Sequence, residues 1–397
     1  MLLAHHGHMR AQHAGEAIAR ERKLAGLSQQ QLADRLRYSA SMLRAVEQGR
    51  RPASPALLAA AARILGVEPE LLTGQPYRDV LDADGPLDGL SELRAILSEG
   101  EYVRGTEPGT YEELSAELAA VNDADRAGQS RRALAALPGL IRKLYGAVDL
   151  DPQPRVYALL AGAYNAADRL CRRFGHMALT VPSIDRFDWA AARSGDPLHI
   201  ALGKILRTRL LMYHDSTHIA LRLVDEVVGA IDGPSEGELS VRGAAHLAGA
   251  VAAARARRVD TARDHLTAAR VLAARLGHET RSYETLFGPM NTEIHAIGVE
   301  LEAGDPGIAA RTGSELILPD SLARSRAGHH WQDVSRAWLM IGKPDQALAA
   351  LNKARRVAPQ QTRLHPSVRE TVYGIAAAQR RRTDSLQGFA AWLGVGV

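Results

Sequence analysis

From residue 111 onward every substantial segment of this chain carries apolar residues at helical spacing, and the breaks between segments recur at a nearly constant interval. Turn signals stand at Ala127-Gly128, Phe174-Gly175-His176, His214-Asp215, Arg258-Val259-Asp260, Gly304-Asp305-Pro306, Gly342-Lys343-Pro344-Asp345 and Thr383-Asp384, with steps of roughly 47, 40, 45, 45, 38 and 41 residues. An interval of about 40–45 residues holds two antiparallel helices and their turns. One such pair cannot bury its apolar face alone, so neighbouring pairs must stack. The expected body is an elongated array of about seven hairpins over residues 111–397. Aromatic residues are only 5% of the chain while hydrophobic residues reach 46%, which favours helices packed closely through Ala and Gly over a β-sandwich.

The longest charge-free apolar stretches, near residues 156–167 and 243–254, are too short to cross a bilayer. Histidines in residues 1–10 interrupt what would be the apolar run of a secretory segment. The single cysteine, Cys171, cannot form an internal disulfide. The expectation is a reduced, cytoplasmic compartment without membrane contact.

Charge is distributed unevenly. Residues 1–79 hold eleven Lys/Arg against seven Asp/Glu, an excess equal to the +4 of the whole chain, so residues 80–397 are neutral. A basic head on a neutral body is the pattern of a polyanion binder. The head reads as five short helices at 16–24, 29–36, 40–48, 55–65 and 69–72. Ser28 and Ser39 serve as N-caps, and Gly49 lies just past the third helix. Leu32, Leu36, Leu43, Val46, Leu57, Leu58, Ile64, Leu65, Leu71 and Leu72 are the expected core.

The run Gly26-Leu27-Ser28-Gln29-Gln30-Gln31-Leu32-Ala33-Asp34-Arg35-Leu36 resembles the second helix of the Cro/repressor-type (xenobiotic-response-element) helix-turn-helix family. Residues 39–52, ending Val46-Glu47-Gln48-Gly49-Arg50-Arg51-Pro52, resemble its recognition helix and exit, and residues 55–72 its closing helices. The resemblance implies a λ-repressor-like DNA-binding domain whose third helix enters the major groove. It implies base contacts from Ala40, Ser41, Arg44 and Ala45, of which Arg44 alone can make a bidentate contact. Gln29, Arg37, Ser39, Arg50 and Arg51 are placed for phosphates. Arg22 and Glu47 resemble the family's structural salt bridge, which removes both from the DNA contacts. The sequence departs from the family at Arg37, where a turn with positive φ usually has Gly.

In the body, Gly342-Lys343-Pro344-Asp345-Gln346-Ala347-Leu348-Ala349-Ala350-Leu351 resembles the second half of a tetratricopeptide repeat, and residues 259–266 and 304–309 repeat it loosely. A HEAT-like array is the alternative. The first helices, near 154–173, 196–213, 239–257, 286–303, 322–341 and 366–382, would form the concave side. Asn165, Arg169, Arg207, Asn291 and His295 are the candidate ligand contacts there. An Asn amide donates and accepts at once and so suits a peptide backbone.

No Gly-rich phosphate loop, Gly-x-Ser-x-Gly elbow or paired-cysteine motif is present, so neither catalytic residues nor a cofactor is expected. His5, His6, His8 and His13 have no Cys or carboxylate partner in register. His214 and His218 lack the glutamate of a zinc-protease motif, so no metal site is expected. Arg380-Arg381-Arg382 reads as a solvated helix end. The expected protein is all-α and not an enzyme. A five-helix DNA-binding domain (residues 1–75) is followed by a linker with one helix (76–110) and a right-handed tetratricopeptide-like solenoid for sensing and dimerisation (111–397). The combination resembles the peptide-pheromone receptors of Gram-positive bacteria. That resemblance implies a homodimer on a palindromic duplex DNA site and a short peptide ligand; a small-molecule sensor or a protein-binding scaffold are the alternatives.

Overall fold

A computed structural model describes residues 13–379 and 383–396. The histidines read at positions 5, 6 and 8 and the arginine run at 380–382 lie outside the described residues. Every regular element among them is a helix.

The head comprises α1 (Ala14–Leu24), α2 (Gln29–Leu36), α3 (Ala40–Glu47), α4 (Pro55–Leu65) and α5 (Pro69–Thr73). Its boundaries follow local chemistry. Ser28 and Gln31 form a reciprocal capping box at the start of α2, while the hydroxyls of Ser39 and Ser54 accept from the amides of Met42 and Leu57. Arg37 ends α2 in the left-handed region at φ 58°, the conformation for which a Gly would be preferred; an L-residue there costs about 1 kcal/mol. Ile18, Leu32, Ala33, Leu43, Val46, Leu57 and Leu72 form the small core. Leu71, expected among them, is 48% exposed, because α5 is little more than one turn long and only Leu72 points inward. Gly15 lets α1 cross α3 at backbone distance, since a Cβ there would lie 1.9 Å from the Val46 carbonyl oxygen.

Two further helices, α6 (Arg78–Ala83) and α7 (Leu90–Glu99), lead into the body. Hairpins follow in order: α8 (Tyr111–Arg126) with α9 (Ser130–Leu150), α10 (Pro154–Arg173) with α11 (Thr180–Ser194), α12 (Pro197–Tyr213) with α13 (Thr217–Ala230) and α14 (Glu236–Arg255) with α15 (Val259–Leu276). They continue as α16 (Pro289–Ala303) with α17 (Pro306–Glu315) and α18 (Arg324–Met340) with α19 (Pro344–Val357). A short α20 (Pro359–Leu364), which the periodicity does not announce, precedes α21 (Pro366–Ala378) and α22 (Asp384–Leu393).

The first helices stack on one another, α8 on α10, α12 on α14, α14 on α16, α16 on α18 and α18 on α21, and each second helix packs beside its own partner. That pattern is a helical-hairpin solenoid with the first helices as its inner layer. Small residues allow the close crossings. Ala161, Ala245, Ala253, Ala337 and Ala347 are fully buried, and a Cβ on Gly243 would meet the ring of Phe287 at 2.2 Å.

Two features go beyond a simple array. Residues 76–110, which read as a linker, place Tyr77, Val80, Leu81, Leu93, Ile96, Leu97 and Val103 in the same core as α8–α12, so this stretch is part of the packed body. The solenoid also curls until α18 returns to α8. The closure is joined by ion pairs of Arg126 with Glu284 and Arg281 with Asp123.

Candidate nucleic-acid interface

The third helix is held from beneath by a buried polar network. Arg22 on α1 donates from Nε and Nη2 to the Glu47 carboxylate at 2.6 and 3.0 Å, and from Nη1 to the Leu27 carbonyl at 2.7 Å. Both side chains are buried, and this is the α1–α3 bridge that the sequence resemblance implies. The Gln29 amide nitrogen donates to the same carboxylate at 2.7 Å, while its carbonyl oxygen accepts from Arg44 Nε at 3.3 Å. The chain Arg22–Glu47–Gln29–Arg44 therefore runs from the head core to the outer face of α3. Gln29 orients Arg44 here, a role that its expected placement for phosphate did not include.

On the outer face, Ser41, Arg44 and Gln48 are exposed, and Ala40 and Ala45 are half-buried at its margin. Ser39 caps α3 and its hydroxyl lies 3.0 Å from that of Ser41. Arg50 and Arg51, just past the helix, are exposed. Arg50 donates to the Gln48 side chain, and Arg51 reaches the Met42 sulfur at 3.5 Å. The structure thus gathers the residues read as base and phosphate contacts onto one accessible side of the head, with Arg37 exposed at the α2–α3 turn. A short helix with a guanidinium held near its middle, flanked by a capped N-terminus and cations, has the dimensions and chemistry of a major-groove reader.

The head is docked on the solenoid by contacts far apart in sequence. Arg257, at the α14–α15 turn, lies 4.3 Å from the Tyr38 ring centre and donates to the Arg37 carbonyl at 3.1 Å. Arg63 on α4 pairs with Asp215 at the end of the α12 hairpin turn at 2.8 Å. Deeper in, Glu370 on α21 accepts from the Ala14 amide at 2.7 Å and from the Ala53 amide, and burial pushes its carboxyl up to about 7. Beside it Arg369 lies 3.5 Å over the Tyr77 ring. None of these partners follows from the sequence reading. The one local signal was the charged pair Arg369-Glu370 in an otherwise apolar helix.

The residues read as ligand contacts separate into groups. Asn165 and Arg169 share the inner face of α10, where Arg169 donates to Asn122 at 2.6 Å and to Asp125 at 3.3 Å. His295 on α16 faces the same interior. Burial, followed by the charges of Arg326 and Arg209, lowers its pKa to about 3, so the imidazole is neutral at pH 7. Asn291 is buried, donating to the Leu286 carbonyl at 2.7 Å with its amide oxygen unpaired. Arg207 is not brought to this group; it bridges to Asp185 and Asp188 on α11.

Residues 13–73 match the family described as Helix-turn-helix domain. With the exposed α3 and its buried Arg22–Glu47 support, this identifies the head as a DNA-binding domain of a transcription regulator. No curated protein and no solved structure matches the chain. No helix among the described residues is long and apolar enough to cross a membrane.

Proposed function

We propose that this protein is a sequence-specific transcription regulator of the Cro/repressor type. Its tetratricopeptide-like solenoid senses a ligand, with a short signalling peptide as the preferred class, and alters the placement of paired DNA-binding heads. Residues 1–75 would be the reader and residues 111–397, with 76–110 packed into the same body, the sensing and dimerising part, acting in the cytoplasm as a homodimer on a palindromic site. Within the reader, Arg44 would contact guanine, Ala40, Ser41 and Ala45 would line the groove, and Gln29, Arg37, Ser39, Arg50 and Arg51 would lie along the phosphates. Within the sensor, Asn165, Arg169, Asn291 and His295 are the proposed ligand contacts, and Arg207, engaged with Asp185 and Asp188, is set aside.

The observation that carries the reading is the combination of a free α3 face with a head clasped to three separate points of the solenoid: the α12–α13 turn, the α14–α15 turn and α21. A ligand that favours one curvature of the array would move those points relative to one another and so shift the head. Half-sites lie about 34 Å apart for one DNA turn, so a small displacement of two heads decides whether both engage.

The test is DNA binding by the full chain to a selected palindrome and to random duplex, at several salt concentrations. Affinity should fall by orders of magnitude between about 50 and 200 mM salt while the preference for the palindrome persists. Arg44→Ala should relax base preference at one position per half-site, costing about 1–3 kcal/mol. Equal affinity for both duplexes at every salt would sink the regulator reading and leave a protein-binding scaffold in its place.

A further inference from the structure

The interior of the solenoid concentrates guanidinium groups that the DNA-reading head does not use. Arg172 and Arg173 project from the last turn of α10 and Arg169 from the turn before it, Arg209 lies four residues before the end of α12, and Arg326 lies in the first turn of α18. α18 returns toward α8, and the charges of Arg172, Arg326 and Arg169 act on Arg209 while those of Arg172, Arg173 and Arg169 act on Arg326, which places these guanidinium groups near one another.

The nearby carboxylates are already engaged. Asp125 is shared by Arg169 and Arg173, and Asp168 accepts a bidentate contact from Arg172. Glu279 accepts from the Met290 and Asn291 amides at the start of α16. Arg169 Nη1 is buried without a hydrogen-bond partner. No described residue accepts a hydrogen bond from Arg209 or Arg326; Arg209 is repelled by Arg172, Arg326 and Arg169 and attracted by Asp168, and Arg326 is repelled by Arg172, Arg173 and Arg169 and attracted by Glu279. Burial and these like charges push Arg209 down to about 9 and Arg326 down to about 10. His329, on the same side of α18 one turn further, is held neutral by burial and by His365 and Arg326, and so can donate without adding charge.

Partly buried cations left without acceptors are unfavourable unless something completes them. A helix hairpin has no structural need for three converging arginines where leucine would pack. Guanidinium forks match carboxylate and phosphate oxygens equally well, and in a partly desolvated space such contacts are strong.

We propose that Arg169, Arg209 and Arg326, supported by Arg172, Arg173 and His329, form a binding site inside the solenoid for a compact, multiply charged anionic group, phosphate or polycarboxylate. It rests on the sensing reading above for its purpose and names the chemistry of the ligand at that site. By drawing α10, α12 and α18 toward a common charge, the anion would tighten the closure of the array.

The test is calorimetric titration of the full chain with inorganic phosphate and with citrate, against sodium chloride of equal ionic strength, alongside thermal unfolding. One probe or both should bind saturably and raise the melting temperature above the chloride control. The probe that binds distinguishes a phosphorylated ligand from a carboxylate-bearing one. Arg209→Gln and Arg326→Gln should each weaken binding at least tenfold. Without anion each variant should be as stable as wild type or more so, because a repulsive charge is removed; a merely structural arginine would give a loss. Arg326→Gln lies on a different helix and keeps the test intact should Arg209→Gln fail to fold. Binding no tighter than chloride for both probes, or wild-type affinity in the folded variants, overturns the site. DNA affinity measured on the same samples separates the two proposals: anion binding without any effect on operator affinity removes the sensing role alone, and loss of the anion site with operator binding intact removes the site alone.

Discussion

Glu370→Gln should remove the weakening of head docking that wild type shows as pH rises toward and through 7. In the docked state the Glu370 carboxyl is buried against the Ala14 and Ala53 amides, and its pKa rises from the ordinary 4.5 to about 7. Once the head leaves, water reaches the carboxyl and the ordinary value returns. A group whose pKa is raised in the docked state supports docking fully below its undocked value and loses that support as pH rises through its docked value. The contribution is therefore complete below about pH 4.5, declines across the interval and is gone above about pH 7. The whole difference corresponds to about 3 kcal/mol, and between pH 6 and 8 the docking equilibrium should weaken roughly tenfold. Glutamine keeps an oxygen that can accept from an amide and has no proton to exchange in this range. Fluorescence transfer between dyes at Lys23→Cys on the head and Glu315→Cys on α17 would follow docking. Burial lowers the His13 pKa, so His13 titrates in the opposite sense. It does so in both proteins, and the difference between wild type and Glu370→Gln isolates the carboxyl. An identical pH response in the two proteins would refute the argument.

Other outcomes follow from single contacts. Arg22→Ala leaves Glu47 buried with only the Gln29 amide to meet it, and should destabilise the head by about 3–5 kcal/mol in urea unfolding; a change below about 1 kcal/mol would contradict the network. Cys171 is buried and its thiol is pushed up to about 12 by burial, so it should resist thiol reagents in the native protein at pH 8 and react after unfolding. That inertness is also what lets the two dye-bearing cysteines be labelled selectively. Gly146→Ala would place a Cβ 1.8 Å from the Thr106 carbonyl oxygen, forcing residues 105–106 away from α9 at a cost of about 1–3 kcal/mol; an unchanged melting temperature would show that the segment yields freely.

Much of the helical outline is legible residue by residue. The caps Ser28, Ser39 and Ser54 and the left-handed Gly49 and Gly66 mark helix ends through bonds and backbone angles that lie within a few residues. Pro154, Pro197, Pro344 and Pro366 open helices that the apolar period also delimits. The shared face of the residues proposed to line the groove is legible for a related reason. Ala40, Ser41, Arg44 and Ala45 lie on one short helix, so their common face follows from 3.6 residues per turn. The role of Gln29 in orienting Arg44 was hidden, because it depends on the crossing of α2 over α3 and on Glu47 turning inward.

Helix identity, the hairpin order and the outward face of α3 were thus set by the chain locally, since capping, proline and apolar spacing act over a few residues. The curl of the solenoid was not. Its closure accumulates from the small rotation at each hairpin, and those rotations depend on how particular Ala, Gly and aromatic side chains meet across helices. Only the folded molecule therefore placed Glu370 beside Ala14, Arg257 beside Tyr38 and Arg326 opposite the arginines of α10. Burial in those long-range contacts, rather than anything in the neighbouring sequence, gives Glu370 and Arg326 their shifted proton affinities.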